Sequence, residues 1–105
     1  MSELRSKTPV VDVLEAMTAA SIQLSGLDPS QLLLARLAAL AAVDAKPASY
    51  LLHIGVAAEA GITLEDVQNT LVAVAPIIGS ARTASAAIAI TEALGFAIAL
   101  ADAES

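Results

Sequence analysis

Pro9, Pro29 and Pro47, with Gly26, Gly61 and Gly79, divide this chain into five apolar stretches, each of helical length. Proline is suited to the first turn of a helix, where its missing N–H has no intrahelical partner in any case. Glycine is suited to the exit, where a left-handed residue closes the last turn. No stretch between these signals alternates apolar and polar residues as a half-buried strand does. The punctuation therefore predicts an all-α fold of about five helices in a single domain over residues 1–105.

The first helix is expected over residues 9–25, with Thr8 as its cap. Val10, Val13, Leu14, Met17 and Leu24 share one face, and Asp12, Glu15 and Thr18 lie opposite. Residues 1–7 read as a loose arm or an oligomer contact. Asp28, Pro29 and Gln31 form the next start signal, a cap with a reaching amide, for a helix running to Val43. Arg36 falls inside the leucine arc of that helix. Its guanidinium must find a carboxylate, a carbonyl or a ligand, or else reach water while its stem packs. A third helix spans residues 47–60. Thr63 caps a fourth, with Glu65 and Asp66 in its first turn, and Pro76 is expected to end or kink it. Gly79 and Ser80 make a break, with Ser80 available as a cap. The last helix, residues 81–101, carries Ile88, Ile90, Leu94, Phe96, Ile98 and Leu100 nearly all round, so it is central, intersubunit or transmembrane. A span needs about 20 apolar residues. Glu92 in mid-helix, the alanine content and the globular caps argue against one.

Composition narrows the function. Apolar residues make up 57% of the chain but aromatics only 2%. Small side chains let helices approach closely but bury little area each. A mean hydropathy of +0.76 leaves too little polar surface for a monomer, so a homo-oligomer is expected. A net charge of −6 excludes nucleic acid as a partner. The absence of cysteine removes disulfides, thiol catalysis and thiolate metal sites. With one histidine, no metal site is expected, and no cofactor is implied. The polar opening residues carry no signal peptide, and the chain is expected to be cytoplasmic.

The residues with most chemical content cluster in the third helix. Lys46, Ser49, Tyr50 and His53 fall within about 100° of arc at helical spacing, while Leu51, Ile54 and Ala58 point another way. His53 is the only histidine and Tyr50 the only tyrosine. His53 is readable as a packed interior residue or as a titratable site residue. Ser49 and His53, four apart, are spaced for a hydrogen bond, but no nucleophile-elbow context surrounds them.

From the leucine- and alanine-rich second helix, the order runs through His53 to Ala57, Ala58, Glu59, Ala60, Gly61, Ile62 and Thr63. Leu64, Glu65, Asp66 and Val67 follow, then Ala75, Pro76, Ile77, Ile78 and Gly79, with Ala84 and Ala86 beyond. Over residues 28–94 this order resembles the carboxymuconolactone decarboxylase family, which includes the alkylhydroperoxidase D-like proteins. The resemblance implies an all-α trimer or hexamer with pockets near subunit contacts, and it places His53 at the family histidine. The peroxidase branch has a C-x-x-C pair where Lys46 and Ser49 stand here, and a proton-relay glutamate at the position of Leu34. With no thiol, disulfide cycling has no reactant.

The decarboxylase branch acts on a polyanionic lactone without those cysteines. By that resemblance His53 is the candidate proton donor, assisted by Tyr50 and Lys46. Arg36, Ser49 and Arg82 are candidate substrate contacts. Ala81 stands near a family proline. The combined reading is a cysteine-free relative that binds a small carboxylate or lactone near His53. An active decarboxylase or lactone-converting enzyme and a purely structural oligomer are the alternatives.

Overall fold

The computed structural model describes residues 6–104, apart from the side chains of residues 101 and 104. Five helices follow in order: α1 (Pro9–Leu24), α2 (Pro29–Ala42), α3 (Pro47–Glu59), α4 (Leu64–Ile78) and α5 (Ser80–Glu104). Among the described residues there is no strand. Of the arm expected over residues 1–7, residues 1–5 lie outside the described part.

α2 to α5 form the bundle. α5 lies at its centre and packs on α2, α3 and α4. The core is Leu37, Ala41, Tyr50, Leu71, Ala86, Ala89, Ile90 and Ala93. Alanine at the α5 contact positions lets the helix backbones come close. Tyr50, wholly buried, is the one large side chain shut completely away from solvent. Among the described residues, Ser80–Leu100 is also long and apolar enough to cross a membrane. Its inner face is core here, while Ile88 and Phe96 remain exposed.

Local signals explain the helix ends. Asp28 accepts from the Gln31 N–H at 2.9 Å, and the Asp28 N–H donates to Gln31 Oε1 at 3.2 Å, closing the expected capping box. The Gln31 N–H and the Ser30 hydroxyl hold the Asp28 carboxyl below its ordinary pKa. Thr63 and Asp66 form a second reciprocal box at the head of α4, with bonds of 2.9 and 3.0 Å. Thr8 caps no N–H of α1; its hydroxyl donates to Asp12 at 3.3 Å instead.

α3 ends in a Schellman closure. The Ile62 N–H donates to the Ala57 carbonyl and the Gly61 N–H to the Ala58 carbonyl, with Gly61 at φ 81°. The α2 end repeats the pattern, with the Ala45 N–H on Leu40 and the Asp44 N–H on Ala41. There Asp44 takes the left-handed position at φ 55°.

Two expected boundaries differ. Pro76 does not end the helix: α4 continues to Ile78. Pro76 is exposed and sits in the last turn. Ser80 is the first residue of α5 rather than its cap, because Gly79 makes the whole reversal. Gly79 has φ 90° and ψ 161°, a region essentially reserved for glycine.

No atom lies within 4 Å of a Cβ built on Gly79, so the cost of a side chain there is torsional rather than steric. Gly79→Ala should therefore lose about 1–3 kcal/mol of unfolding free energy. Urea denaturation should show this as a lower midpoint with an unchanged slope.

Candidate functional site

The bundle does not close at one end of the core. A cavity of about 310 Å³ remains between α3, α4 and α5. α3 contributes Tyr50, His53, Ile54 and Ala58, and α4 contributes Leu64 and Val67. α5 adds Ile90, Leu94 and Ile98, and Leu37 of α2 lies at the floor. The Schellman turn after α3 folds Ile62 and Thr63 onto the same wall. An engineered apolar cavity of about 150 Å³ holds benzene, so this one has room for a larger molecule.

Its lining is nearly all hydrocarbon; the polar exceptions are Tyr50 and His53 on α3, and Thr63, whose hydroxyl oxygen accepts from the Asp66 N–H at the head of α4. Tyr50 Oη is buried and has no hydrogen-bond partner. A buried hydroxyl left without a partner costs about 1–3 kcal/mol, so this group is either a defect or a contact awaiting a ligand. Burial, and next the negative charge of Asp44, push the Tyr50 phenol above its ordinary value of 10.0. It stays a neutral donor throughout the physiological range.

The second exception is His53, half-buried, whose Nδ1 lies 2.8 Å from the Ser49 carbonyl oxygen. A carbonyl can only accept, so Nδ1 carries the hydrogen, and in the neutral ring Nε2 is an acceptor. Tyr50 and His53, three residues apart, stand on neighbouring turns of one helix face. Beside the capping Thr63, the polar residues of the lining are thus a phenol and a neutral-ring acceptor, and no lysine, arginine or carboxylate lines the cavity.

Of the residues singled out from the sequence, Tyr50 and His53 come together. Ile54 and Ala58, expected to point elsewhere, line the same wall, because the cavity takes a wider arc of α3 than the polar side chains alone mark. Ser49 bonds His53 through its backbone carbonyl rather than its hydroxyl. Lys46 lines a separate, polar cleft with Asp44, Ser85 and Glu92. Arg36 reaches back to the Ser21 hydroxyl of α1 at 3.2 Å. Arg82 donates to the Ala42 carbonyl at 2.8 Å, where it satisfies the end of α2 and its dipole.

None of the three cations lines the cavity, and no cationic clamp is assembled beside His53 within the protomer. A polyanion placed there would lose its water without gaining a counter-charge. Leu34 packs against the core. Among the described residues no group of histidine and carboxylate side chains could hold a metal. The lining from α4 and α5 was not identified from sequence. The one available signal was the chain order Gly61, Ile62, Thr63, since the residue after a Schellman glycine packs back on its helix.

Two outcomes follow for Tyr50. Tyr50→Phe should raise the stability of the unliganded protein by about 1 kcal/mol, because it removes an unsatisfied buried hydroxyl; chemical denaturation measures this. In the unmodified protein the folded state holds the phenol proton more tightly than the unfolded state does. The associated stability is present below pH 10 and is lost as pH rises through the raised folded value. Ultraviolet difference titration of this single tyrosine should show ionisation above pH 10.0, with alkaline unfolding close behind.

No curated protein and no solved structure matched the chain. A family model did match, the Carboxymuconolactone decarboxylase family, over residues 9–93. That match runs from the start of α1 into the middle of α5 and takes in the His53 cavity apart from Leu94 and Ile98, the capping boxes of α2 and α4, and the Gly79 reversal. The chain therefore belongs to the carboxymuconolactone decarboxylase family.

Proposed function

We propose that this chain is a non-redox, homo-oligomeric member of its family that binds a small molecule in the His53 cavity. The ligand is uncharged and mostly apolar. It carries one hydroxyl or carbonyl group placed to meet Tyr50 and His53. The observation that carries this reading is a hydrocarbon-lined cavity of about 310 Å³ with Tyr50 and His53 among its lining residues, the Tyr50 hydroxyl being buried and without a hydrogen-bond partner. A ligand oxygen accepting from it removes the desolvation penalty, and a ligand hydroxyl can also donate to the acceptor nitrogen of His53. The hydrocarbon lining supplies the rest of the affinity at about 25 cal/mol per Å² buried.

Within this reading an uncharged lactone is a better occupant than a free carboxylate, because no cation stands at the wall. The absence of cysteine leaves no peroxidase cycle. A second reading, proton transfer to or from a bound lactone, is favoured by one observation: His53, its Nδ1 held on the Ser49 carbonyl, keeps Nε2 of the neutral ring as an acceptor in a residue that lines the cavity. A subunit count of three or six is the one the family resemblance implies.

The single tyrosine, with no tryptophan present, is its own reporter. Titration with a series of cyclic alcohols, neutral lactones and dicarboxylates should change tyrosine emission saturably for the first two classes. Dicarboxylates should bind at least about tenfold more weakly. Tight dicarboxylate binding, or no response from any neutral compound, would remove the reading. Turnover of a bound lactone that disappears in His53→Gln would favour the catalytic alternative.

A further inference from the structure

α1 has no place in the bundle that its own chain builds. It is 16 residues long and none of them is buried. Val10 is 70% exposed, Val13 58%, Leu14 56% and Met17 62%. These positions make one continuous stripe at helical spacing. The core contains no α1 residue. Among the described residues, a single side-chain hydrogen bond, from Arg36 to Ser21, joins α1 to the bundle. An isolated helix of this length is marginal in water, since most helical stability comes from a packed apolar face. α1 therefore needs a surface that the protomer does not provide, and the core does not need α1.

The dimensions of the chain say how much surface is missing. A folded monomer of 10.5 kDa exposes about 5,400 Å², whereas this chain exposes 7391 Å². The radius of gyration is 15.7 Å, against about 13 Å for a compact domain of this length. An excess of about 2,000 Å² per chain, closed between two copies, lies within the range of obligate interfaces.

The same chain also exposes uncharged ridges able to receive such a stripe: Leu52 and Val56 on α3, and Val72 and Ile77 on α4. A lipid surface is the poorer match. The polar side of α1 carries Asp12 and Glu15, and the helix has no lysine or arginine, the reverse of an interfacial membrane helix.

We propose that α1 is an exchanged arm, which seats the stripe Val10, Val13, Leu14 and Met17 on the bundle of a second copy of this chain. This goes beyond homo-oligomerisation as such by naming the element that links the copies. The bundle α2 to α5 is a complete unit, and α1 is the connector between units.

The test compares the full chain with the double variant Leu14→Asp/Met17→Asp and with Ala19→Asp on the opposite face. Each is measured by sedimentation equilibrium and far-ultraviolet circular dichroism at micromolar concentration. The unmodified chain and Ala19→Asp should be oligomers of equal size. The double variant should dissociate, with a dissociation constant raised about a hundredfold or more, while the helices of the bundle and the alkaline titration of Tyr50 are kept.

In mixed oligomers of methyl-labelled and unlabelled chains, cross-relaxation from the Val10, Val13 and Leu14 methyls should run between copies. A monomeric unmodified chain, an unchanged oligomer in the double variant, or contacts wholly within one copy would overturn the proposal. So would association of α1 with phospholipid vesicles in place of self-association. These outcomes are independent of whether the His53 cavity takes a ligand.

Discussion

The close approach of α5 to its neighbours through alanine is the constraint on which the rest of this molecule depends. Ala86, Ala89 and Ala93 of α5 and Ala41 of α2 put backbones, rather than long side chains, at the centre. Alanine contacts fix helix spacing tightly but remove little area from water. The bundle therefore holds together around few large residues, with Tyr50 at its middle. Where α3, α4 and α5 diverge beyond those alanines, no side chain is large enough to fill the gap. Ile62, Leu64, Leu94 and Ile98 line its walls without filling it. The cavity is a consequence of the same small-residue packing that makes the bundle possible.

Polar chemistry is distributed sparingly over this frame. The capping boxes of α2 and α4, the two Schellman closures and Arg82 on the Ala42 carbonyl satisfy helix ends. Ser85 donates to Asp44 at 2.6 Å, pinning the left-handed turn after α2 to α5. Those bonds leave two polar side chains on the cavity wall that are not needed to close a helix. His53 is oriented by the Ser49 carbonyl one turn back, and Tyr50 is held by core packing with no hydrogen bond to its hydroxyl. The chain has no cysteine, and its cavity carries a phenol and an imidazole in a hydrocarbon setting. The chemistry these two groups offer is hydrogen bonding.

Much of the fold was legible because each helix boundary carries its own local signal. Asp28 with Gln31, Pro47 and Gly61 mark their turns by mechanisms that operate within four residues. Pro76 misled because proline is excluded from helix interiors but tolerated near an end, and where the end falls is decided by Gly79. The site was legible only in part. Tyr50 and His53 share a helix face, and helical periodicity finds such pairs. Whether Lys46, Arg36 and Arg82 join them depends on how α1, α2 and α5 are placed, and periodicity says nothing about that. The amphipathic stripe of α1 was read correctly as a stripe. That it faces no part of its own bundle is a tertiary fact, and local pattern could not supply it.

The most direct measurement is a calorimetric cycle on the cavity itself. A cyclic alcohol and the hydrocarbon of the same skeleton are each titrated into the unmodified protein and into Tyr50→Phe. If the buried hydroxyl is the ligand contact, the alcohol loses at least about 1 kcal/mol of binding free energy on substitution while the hydrocarbon does not. If both ligands respond equally, or neither binds, the Tyr50 hydroxyl is a tolerated defect of the core and the cavity is not a ligand site.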